Sequence, residues 1–563
     1  MDPEKNKENN EVTVDDILQI LGPFGKFNVL NYLLILFPVL LAGMYSSVYN
    51  FEAMDLRYRC AIPECENQDA NFTAPLQEDG TPAKCLRYAP FVNFTNTDYG
   101  YNETCAPHFF DTSTEIKCDS YIYFEEHSIV KEFNLGCQDW KRSLVGTVHN
   151  AGFFVSIPLT GLISDRYGRR LAVVFASVAN GVFGVIRAFS LNYEMFIVLE
   201  FLEPALGGGV YTACFVLALE LVGPKGRVFV SLLFNTMFIL GGVTVTLLSW
   251  WLQSWRYLLL VIYIPAILVF FYLWSLTESF RWFFSKGRYE EGLNVLSKCE
   301  KFNKVKVPKE HYDQVEKHAM KQRDARKFEV IETSRSTFKQ LLMSTMIWKR
   351  LFTCSFLWAT STLVYYGLSI NAIELSGNSY LNYIVVIVIE APANVCKLIC
   401  LDRFGRKRVI AIAYILTGII LINYGFVPEG NWSTAFYLGG KFFITLAYNS
   451  LYIFAAEVFP TNYRTSLLAI CSTIGRIGSA VAPQTPLLSR YYEFLPTLLF
   501  GIMSALSGFL VMTLPETNNQ KLPDSLKEAQ DQDRRGQTTN ENERERNTEE
   551  PQLSTGIDTK TRL

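Results

Sequence analysis

The chain has 563 residues, of which 49% are hydrophobic and 14% aromatic, with a formal net charge of −2. So balanced a charge offers no basic body for nucleic acid. No Zn-type CxxC pairing, GxxxxGK[ST] loop or HExxH motif is present, so a metal or phosphate enzyme has no constellation to stand on. Apolar residues come in runs of about 20, the length a helix needs to cross a hydrocarbon core, and this predicts an all-α membrane protein.

Residues 1–27 read as a cytosolic start. They are polar and mixed in charge up to Glu11, unlike a cleaved signal peptide. Thr13 is placed to cap a short amphipathic helix over 13–21, with Asp15 and Asp16 in its first turn, and Gly22-Pro23 ends it.

Twelve spans are predicted near 28–50, 143–163, 171–190, 195–221, 228–250, 256–276, 351–370, 380–401, 409–427, 434–456, 466–488 and 494–514. The organisation is then span one at 28–51, spans two to six at 143–276 and spans seven to twelve at 351–514. Basic residues crowd the loop after span two (Arg166, Arg169, Arg170) and the loop after span eight (Arg403, Arg406, Lys407, Arg408), whereas loops 191–194, 371–379 and 428–433 have none. The positive-inside rule puts the basic loops and both termini in the cytosol.

Residues 52–142 then lie outside. This segment holds Cys60, Cys65, Cys85, Cys105, Cys118 and Cys137, and sequons at Asn71, Asn93 and Asn102. Disulfides and N-glycans both belong to that compartment. Six cysteines allow fifteen pairings, and spacing does not choose among them. A fourth sequon at Asn431 sits in a short loop, a poorer acceptor.

Residues 277–350 read as a charged cytosolic linker, and 515–563 as a largely disordered cytosolic tail. The chain ends on Thr561, Arg562 and Leu563, the carboxylate form that PDZ domains take by strand addition.

The chain repeats itself. The run 161–170 reads GLISDRYGRR and 401–408 reads LDRFGRKR. Asp165 to Glu220 is 55 residues, as is Asp402 to Glu457, and each glutamate is followed seven residues later by Arg227 or Arg464. A third acid follows each half's last span, Glu278 and Glu516, giving offsets of 237, 237 and 238 between halves. Three matches in register indicate a duplicated six-span unit. Two such halves with a site at their interface describe a secondary transporter.

GLISDRYGRR resembles the loop motif after span two of the major facilitator superfamily. Further runs resemble its organic ion transporter family, which includes cation, anion and carnitine transporters. They are Asp15-Asp16-Ile17-Leu18 with Gly22-Pro23-Phe24-Gly25, the cysteine-bearing loop, Glu278-Ser279-Phe280-Arg281-Trp282, Gly440-Lys441-Phe442 and Ala456-Glu457-Val458-Phe459-Pro460. The resemblance implies the major facilitator fold, with twelve transmembrane helices in two six-helix pseudo-repeats. It implies a multi-pass plasma-membrane protein that moves small organic ions by alternating access, not an enzyme. Latches at the cytosolic face would be Asp165, Arg166, Gly168, Arg169, Glu220 and Arg227, and Asp402, Arg403, Gly405, Arg406, Glu457 and Arg464. One departure stands out. Superfamily members commonly carry an arginine in span four, where this chain has Glu200-Phe201-Leu202-Glu203-Pro204.

Charge within a span costs about 2.5–3.5 kcal/mol on insertion scales and tends to face a cavity or partner. The candidates are Glu200, Glu203, Glu390, Lys397, Lys441 and Arg476. Arg476 lies about ten residues from either end of its span, too deep for easy snorkelling, and at its position anion and carnitine members of the family have arginine where many cation members have aspartate. Glu390-Ala391-Pro392 resembles the Glu-x-Pro of cation and carnitine members. The bland reading of Glu390 is that it neutralises Lys397, and that of Lys441 is structural. Trp358, Tyr365, Tyr366, Tyr448 and Tyr452 offer ring faces to ammonium groups. These five with Glu390, Lys397 and Arg476 form the candidate substrate site. His149 is placed to relay protons or simply to be hydrogen-bonded.

The expected cargo is an organic cation or carnitine-like zwitterion. An organic anion is the alternative, and a non-transporting receptor or scaffold is the alternative of another class. No cofactor or metal is expected, with Na⁺ or H⁺ open as coupling ion. The expected partners are the substrate, the bilayer and a PDZ protein at the C-terminus.

Overall fold

A computed structural model describes residues 17, 20–22, 25–62, 84–90, 110–222, 226–308, 310–312, 314–315, 320, 344–375, 377–428, 430–460 and 463–517, except 23–24. The three outer sequons, Cys65, Cys105, Asp15, Asp16 and the C-terminal tripeptide lie outside these residues.

Long helices dominate. In the first half, α1 is Lys26–Glu52, and a short α2 is Ile129–Glu132. Then come α3, Asp139–Tyr167, and α4, Arg169–Ala188. The fourth predicted span is two helices, α5 at Tyr193–Gly207 and α6 at Val210–Leu221, joined through Gly208 and Gly209. The half closes with α7, Arg227–Leu252, α8, Trp255–Leu268, a 3₁₀ turn at Val269–Phe271 and α9, Tyr272–Ser275.

Residues predicted as a charged linker begin with two folded helices, α10 at Phe280–Lys286 and α11 at Tyr289–Asn303. The charges hide an apolar face: Phe280, Trp282, Phe283, Phe284, Leu296 and Cys299 pack into the core beneath α1. Asn303 fastens them, accepting from the Phe27 amide at 2.9 Å and donating to the Leu21 carbonyl at 3.1 Å.

The second half has α12, Thr345–Asn371, α13, Ser379–Val388, α14, Glu390–Phe404, and α15, Arg406–Tyr424. It ends with α16, Asn431–Val458, α17, Arg464–Val481, a 3₁₀ stretch at Ala482–Arg490, and α18, Leu495–Val511. Among the described residues, nine helical stretches are long and apolar enough to cross a membrane, and Leu495–Val511 is a shorter apolar helix. The chain is a multi-pass membrane protein.

The duplication shows in packing. α4 packs on α8 in the first half, and α15 on α18 in the second. Small residues let the backbones approach: a Cβ on Gly418 would stand 3.0 Å from the Gly501 carbonyl, and one on Gly181 3.0 Å from the Tyr263 carbonyl.

The compact units do not follow the repeat boundary. One unit is Met1–Arg323 with Ser369–Val388 and Pro483–Tyr491; the other is Asp324–Leu368, Ile389–Ala482 and Tyr492–Leu563. One end of each of three second-half spans belongs to the first unit because its side chains are built into first-half helices. Tyr383 accepts from Asn50 at 3.2 Å and meets Phe51 edge-on, and Tyr380 stacks on Trp250. Gln484 donates to Thr147 at 2.7 Å.

The segment 52–142 adds strands to a helical protein. β1, Tyr58–Cys60, pairs antiparallel with β4, Tyr121–Tyr123, placing Cys60 opposite Tyr121. β2, Leu86–Pro90, pairs antiparallel with β3, Phe110–Lys117. Two disulfides staple them, Cys60–Cys118 and Cys85–Cys137. Ser128 ties the segment to α1, donating to the Glu52 carbonyl at 2.8 Å.

Candidate functional site

The duplicated charged loops fold alike. Gly168 lies between α3 and α4 at φ 112°, and Gly405 lies between α14 and α15 at φ 89°, conformations that side-chain-bearing residues avoid. Arg169 donates through Nε to Glu220 at 3.1 Å and through Nη1 to Asp165 at 3.0 Å. Its counterpart Arg406 sits 3.4 Å from both Glu457 and Asp402.

The third acid of each repeat caps the helix that follows the loop. Glu278 accepts from the Arg169 amide at 2.9 Å and the Arg170 amide at 3.1 Å, and Glu516 from the Arg406 amide at 3.1 Å. A carboxylate at a helix N-terminus meets both unpaired amides and the positive end of the dipole. Burial pushes the Glu278 carboxyl up, against the downward pull of amide donors from Ser279, Arg170 and Arg169. Arg227 is exposed at the first turn of α7, and Arg464 is half-buried at the start of α17. Arg166 and Arg403 lie over neighbouring rings, Tyr167 and Phe404.

Within the second unit, α12, α14, α16 and α17 bring the candidate substrate residues together. Glu390 opens α14 and is buried. Its Oε1 is 2.9 Å from Lys441 Nζ, and its Oε2 accepts from the Tyr365 hydroxyl at 2.7 Å. The neutralising partner is thus Lys441 of α16, not Lys397 two turns along, because Lys441 projects from a facing helix while Lys397 follows on α14 itself. Lys397 is half-buried. Lys441 is fully buried, donates to the Tyr365 carbonyl at 3.1 Å and lies 3.5 Å from the Tyr365 ring centre.

The aromatic residues form one cluster. Trp358 meets Tyr452 at 4.2 Å between ring centres, and Tyr365 lies 5.4 Å from Tyr448 and 5.2 Å from Tyr366. Arg476 of α17 stands among them, hydrogen-bonded to the Tyr366 side chain and beside Tyr448 and Tyr452. Small residues allow this approach: a Cβ on Gly475 would sit 3.1 Å from Trp358 Cβ. Trp358 is buried, whereas Tyr452 is 46% exposed.

A second charged group lies in the first unit, around the Glu200-Phe201-Leu202-Glu203 run. Glu200 and Glu203 of α5 are buried, and Arg187 of α4 reaches both. Arg187 also lies 2.9 Å from Glu52 of α1 and donates to the Tyr263 hydroxyl at 3.1 Å. His149 Nδ1 is 2.8 Å from Glu200 Oε1. Sequence reasoning missed Arg187 and Glu52. Arg187 lies three residues inside the predicted end of span three, and Glu52 just beyond span one, where long side chains ordinarily snorkel to water. The signal was the reversed charge at Glu200, which needed a cation somewhere.

Comparison with known proteins fits this geometry. The profile of the sugar (and other) transporter family matches residues 95–525, so the chain belongs to that family. Its fold is that of the major facilitator superfamily. The structure of the xylose transporter XylE from E. coli in an inward-open conformation superimposes with a TM-score of 0.57 at 16% identity, covering 87% of this chain and 97% of that one. The chain is 29% identical over 538 residues to the organic cation transporter protein of Drosophila melanogaster, covering 92% of this chain and 94% of that protein. It is also 29% identical over 536 residues to human organic cation/carnitine transporter 2, covering 91% and 93%. The chain is a transporter and not an enzyme.

Proposed function

We propose that this protein is a polyspecific secondary transporter of small organic ions at the plasma membrane, and that a carnitine-like zwitterion fits its site best. The names of its relatives support the cargo class. The observation that carries the finer reading is Arg476 standing within the aromatic cluster. A quaternary ammonium is held by ring faces at ~0.5–2 kcal/mol each, and the rings of Trp358, Tyr365, Tyr448 and Tyr452 adjoin one another. A carboxylate pairs with a guanidinium in bidentate fashion, and Arg476 supplies one. Glu390 is already engaged by Lys441 and Tyr365, so the cargo's positive end rests on rings rather than on that carboxylate. That engagement also favours a second reading, an organic anion held by Arg476.

In the cycle, the ion pairs around Arg169 and Arg406 are the latches of alternating access, in the cytosol together with both termini. The disulfide-bonded segment faces outside, where Asn71, Asn93 and Asn102 carry glycans, and Thr561, Arg562 and Leu563 form a PDZ ligand. The test is uptake by cells expressing the protein, with quaternary ammonium, betaine-type and carboxylate substrates in parallel. Saturable betaine-type uptake is expected, and Arg476→Asp should turn preference toward pure cations. No saturable uptake sinks the transporter reading, and an unchanged profile sinks the role of Arg476.

A further inference from the structure

The cluster in the first unit carries more charge than its cation balances. Glu52, Glu200 and Glu203 surround one guanidinium, that of Arg187, and all four side chains are at most 1% exposed. Fully ionised, with His149 neutral, three carboxylates and one guanidinium sum to −2. A buried net charge of that size is prohibitive, because desolvation costs several kcal/mol per unpaired ion even after relaxation. A metal cation is a poor remedy. Arg187 already lies against all three carboxylates, and no group suited to hold a metal is found among the described residues. Protons are the remedy that fits. Two of them, shared over three carboxylates and an imidazole, make the cluster neutral.

The surroundings suit proton transfer. His149 Nδ1 sits 2.8 Å from Glu200 and 3.8 Å from Glu203, so the imidazole bridges the two acids. Glu52 Oε2, His149 Nε2 and the Tyr45 hydroxyl are buried with no hydrogen-bond partner among the described residues. The polar groups facing the cluster come from every helix packed on it: Tyr45, Tyr49 and Glu52 of α1, His149 of α3, Arg187 of α4, Glu200 and Glu203 of α5, and Tyr263 of α8. Just after Arg187 in the chain, the Ala188 and Ser190 carbonyls accept from Arg256, which also pairs with Glu132 at 3.1 Å.

The nearest cavity lies on one side, next to Tyr49. A cavity of about 440 Å³ opens beside the disulfide-bonded segment, lined by Tyr49, Asn50, Asp55, Lys84 and Arg142 among others. The Tyr49 ring, which lines it, also lies 5.0 Å from the His149 ring. Inside the cluster the short step is from His149 Nδ1 to Glu200 Oε1, 2.8 Å apart.

We propose that Glu52, His149, Arg187, Glu200 and Glu203 form a buried proton-binding site whose protons move with the transport cycle. The coupling half of this inference rests on the transporter reading above; the site itself does not. Arg187 holds the carboxylates together and sets how many protons they need, while the glutamates and His149 carry them.

The test uses the purified full-length protein. Infrared spectroscopy across a pH titration should show a protonated-carboxyl stretch that shifts in heavy water and titrates. Glu200→Gln and Glu203→Gln should each diminish it, and Glu52→Gln with both should abolish it, with melting temperatures checking that each variant is folded. The same protein in liposomes, with labelled carnitine as probe, should change its accumulation about tenfold per pH unit of imposed gradient for each coupled proton. The glutamine variants should lose that response while still exchanging labelled for unlabelled carnitine. Absence of a titrating carboxyl overturns the site whatever the uptake shows. Saturable uptake indifferent to the gradient overturns the coupling. No uptake of any panel substrate with the carboxyl signal intact removes the transporter reading and the coupling, and leaves the site standing.

Discussion

Lys441 Nζ lies 2.9 Å from Glu390 Oε1, joining α16 to α14 by a pair in which the lysine is fully buried. The pair fixes the helix faces on which Tyr365 and Tyr448 sit, so its first consequence is for the shape of the site. Removing one partner strands the other charge, at a cost of about 3–5 kcal/mol. Glu390→Gln and Lys441→Met are each expected to lower the melting temperature strongly. The double variant should recover much of that loss, as a double-mutant cycle in detergent would read.

The helix-linking glycines should be intolerant. Gly168→Val places a β-branched side chain at φ 112° and drives its Cβ into the Glu278 carboxylate. Gly405→Val repeats the strain at φ 89°, with Glu516 Oε2 at 3.0 Å. Each costs about 1–3 kcal/mol in backbone strain, and more as the cap is displaced. Reduced melting temperature with reduced uptake is expected for both, and the Gly168 variant should be the worse.

Glu278 gives a pH dependence with a definite sign. Its folded carboxyl takes a proton more readily than the unfolded one, because burial outweighs the amide donors. Its contribution to stability is therefore full below the ordinary carboxylate range and is lost as pH rises through the raised value. Glu278→Gln should flatten that part of the curve, so the melting temperatures of wild type and variant are expected to diverge as pH climbs.

The two disulfides close loops of 58 and 52 residues in sequence separation. Each is expected to contribute about 2–4 kcal/mol to its segment. Cys118→Ser and Cys137→Ser should make 52–142 sensitive to protease at temperatures where the helices remain intact. Equal resistance in wild type and variants would count against that contribution.

Much of the architecture was legible because the membrane simplifies the problem. A span must be helical and apolar, so hydropathy alone located the long apolar helices. Register between Asp165, Glu220 and Glu278 and their second-half counterparts exposes the duplication in the sequence itself. Arg169 and Arg406 then proved to make the same contacts in each half. Pairing inside the bundle was not legible. Lys397 looked like the partner of Glu390 because it is close along the chain, and only packing put Lys441 against that carboxylate.

The linker misled for the opposite reason. Its Lys and Glu content masked the apolar face of Phe280, Trp282, Phe283 and Phe284, which docks beneath α1. In the first unit, Glu200 was visible as a reversed charge, and His149 looked solitary. Arg187 and Glu52 joined them only when four helices closed around one point.

The sequence by itself determined the apolar spans, the repeat, the cysteine-bearing segment and the family, because each is a local or periodic property of the chain written in residue type and spacing. Only the tertiary structure decided which buried charges face one another. An ion pair inside a membrane protein is a meeting of side chains distant in sequence, and its partner is set by the rotation and depth of each helix, which packing alone fixes.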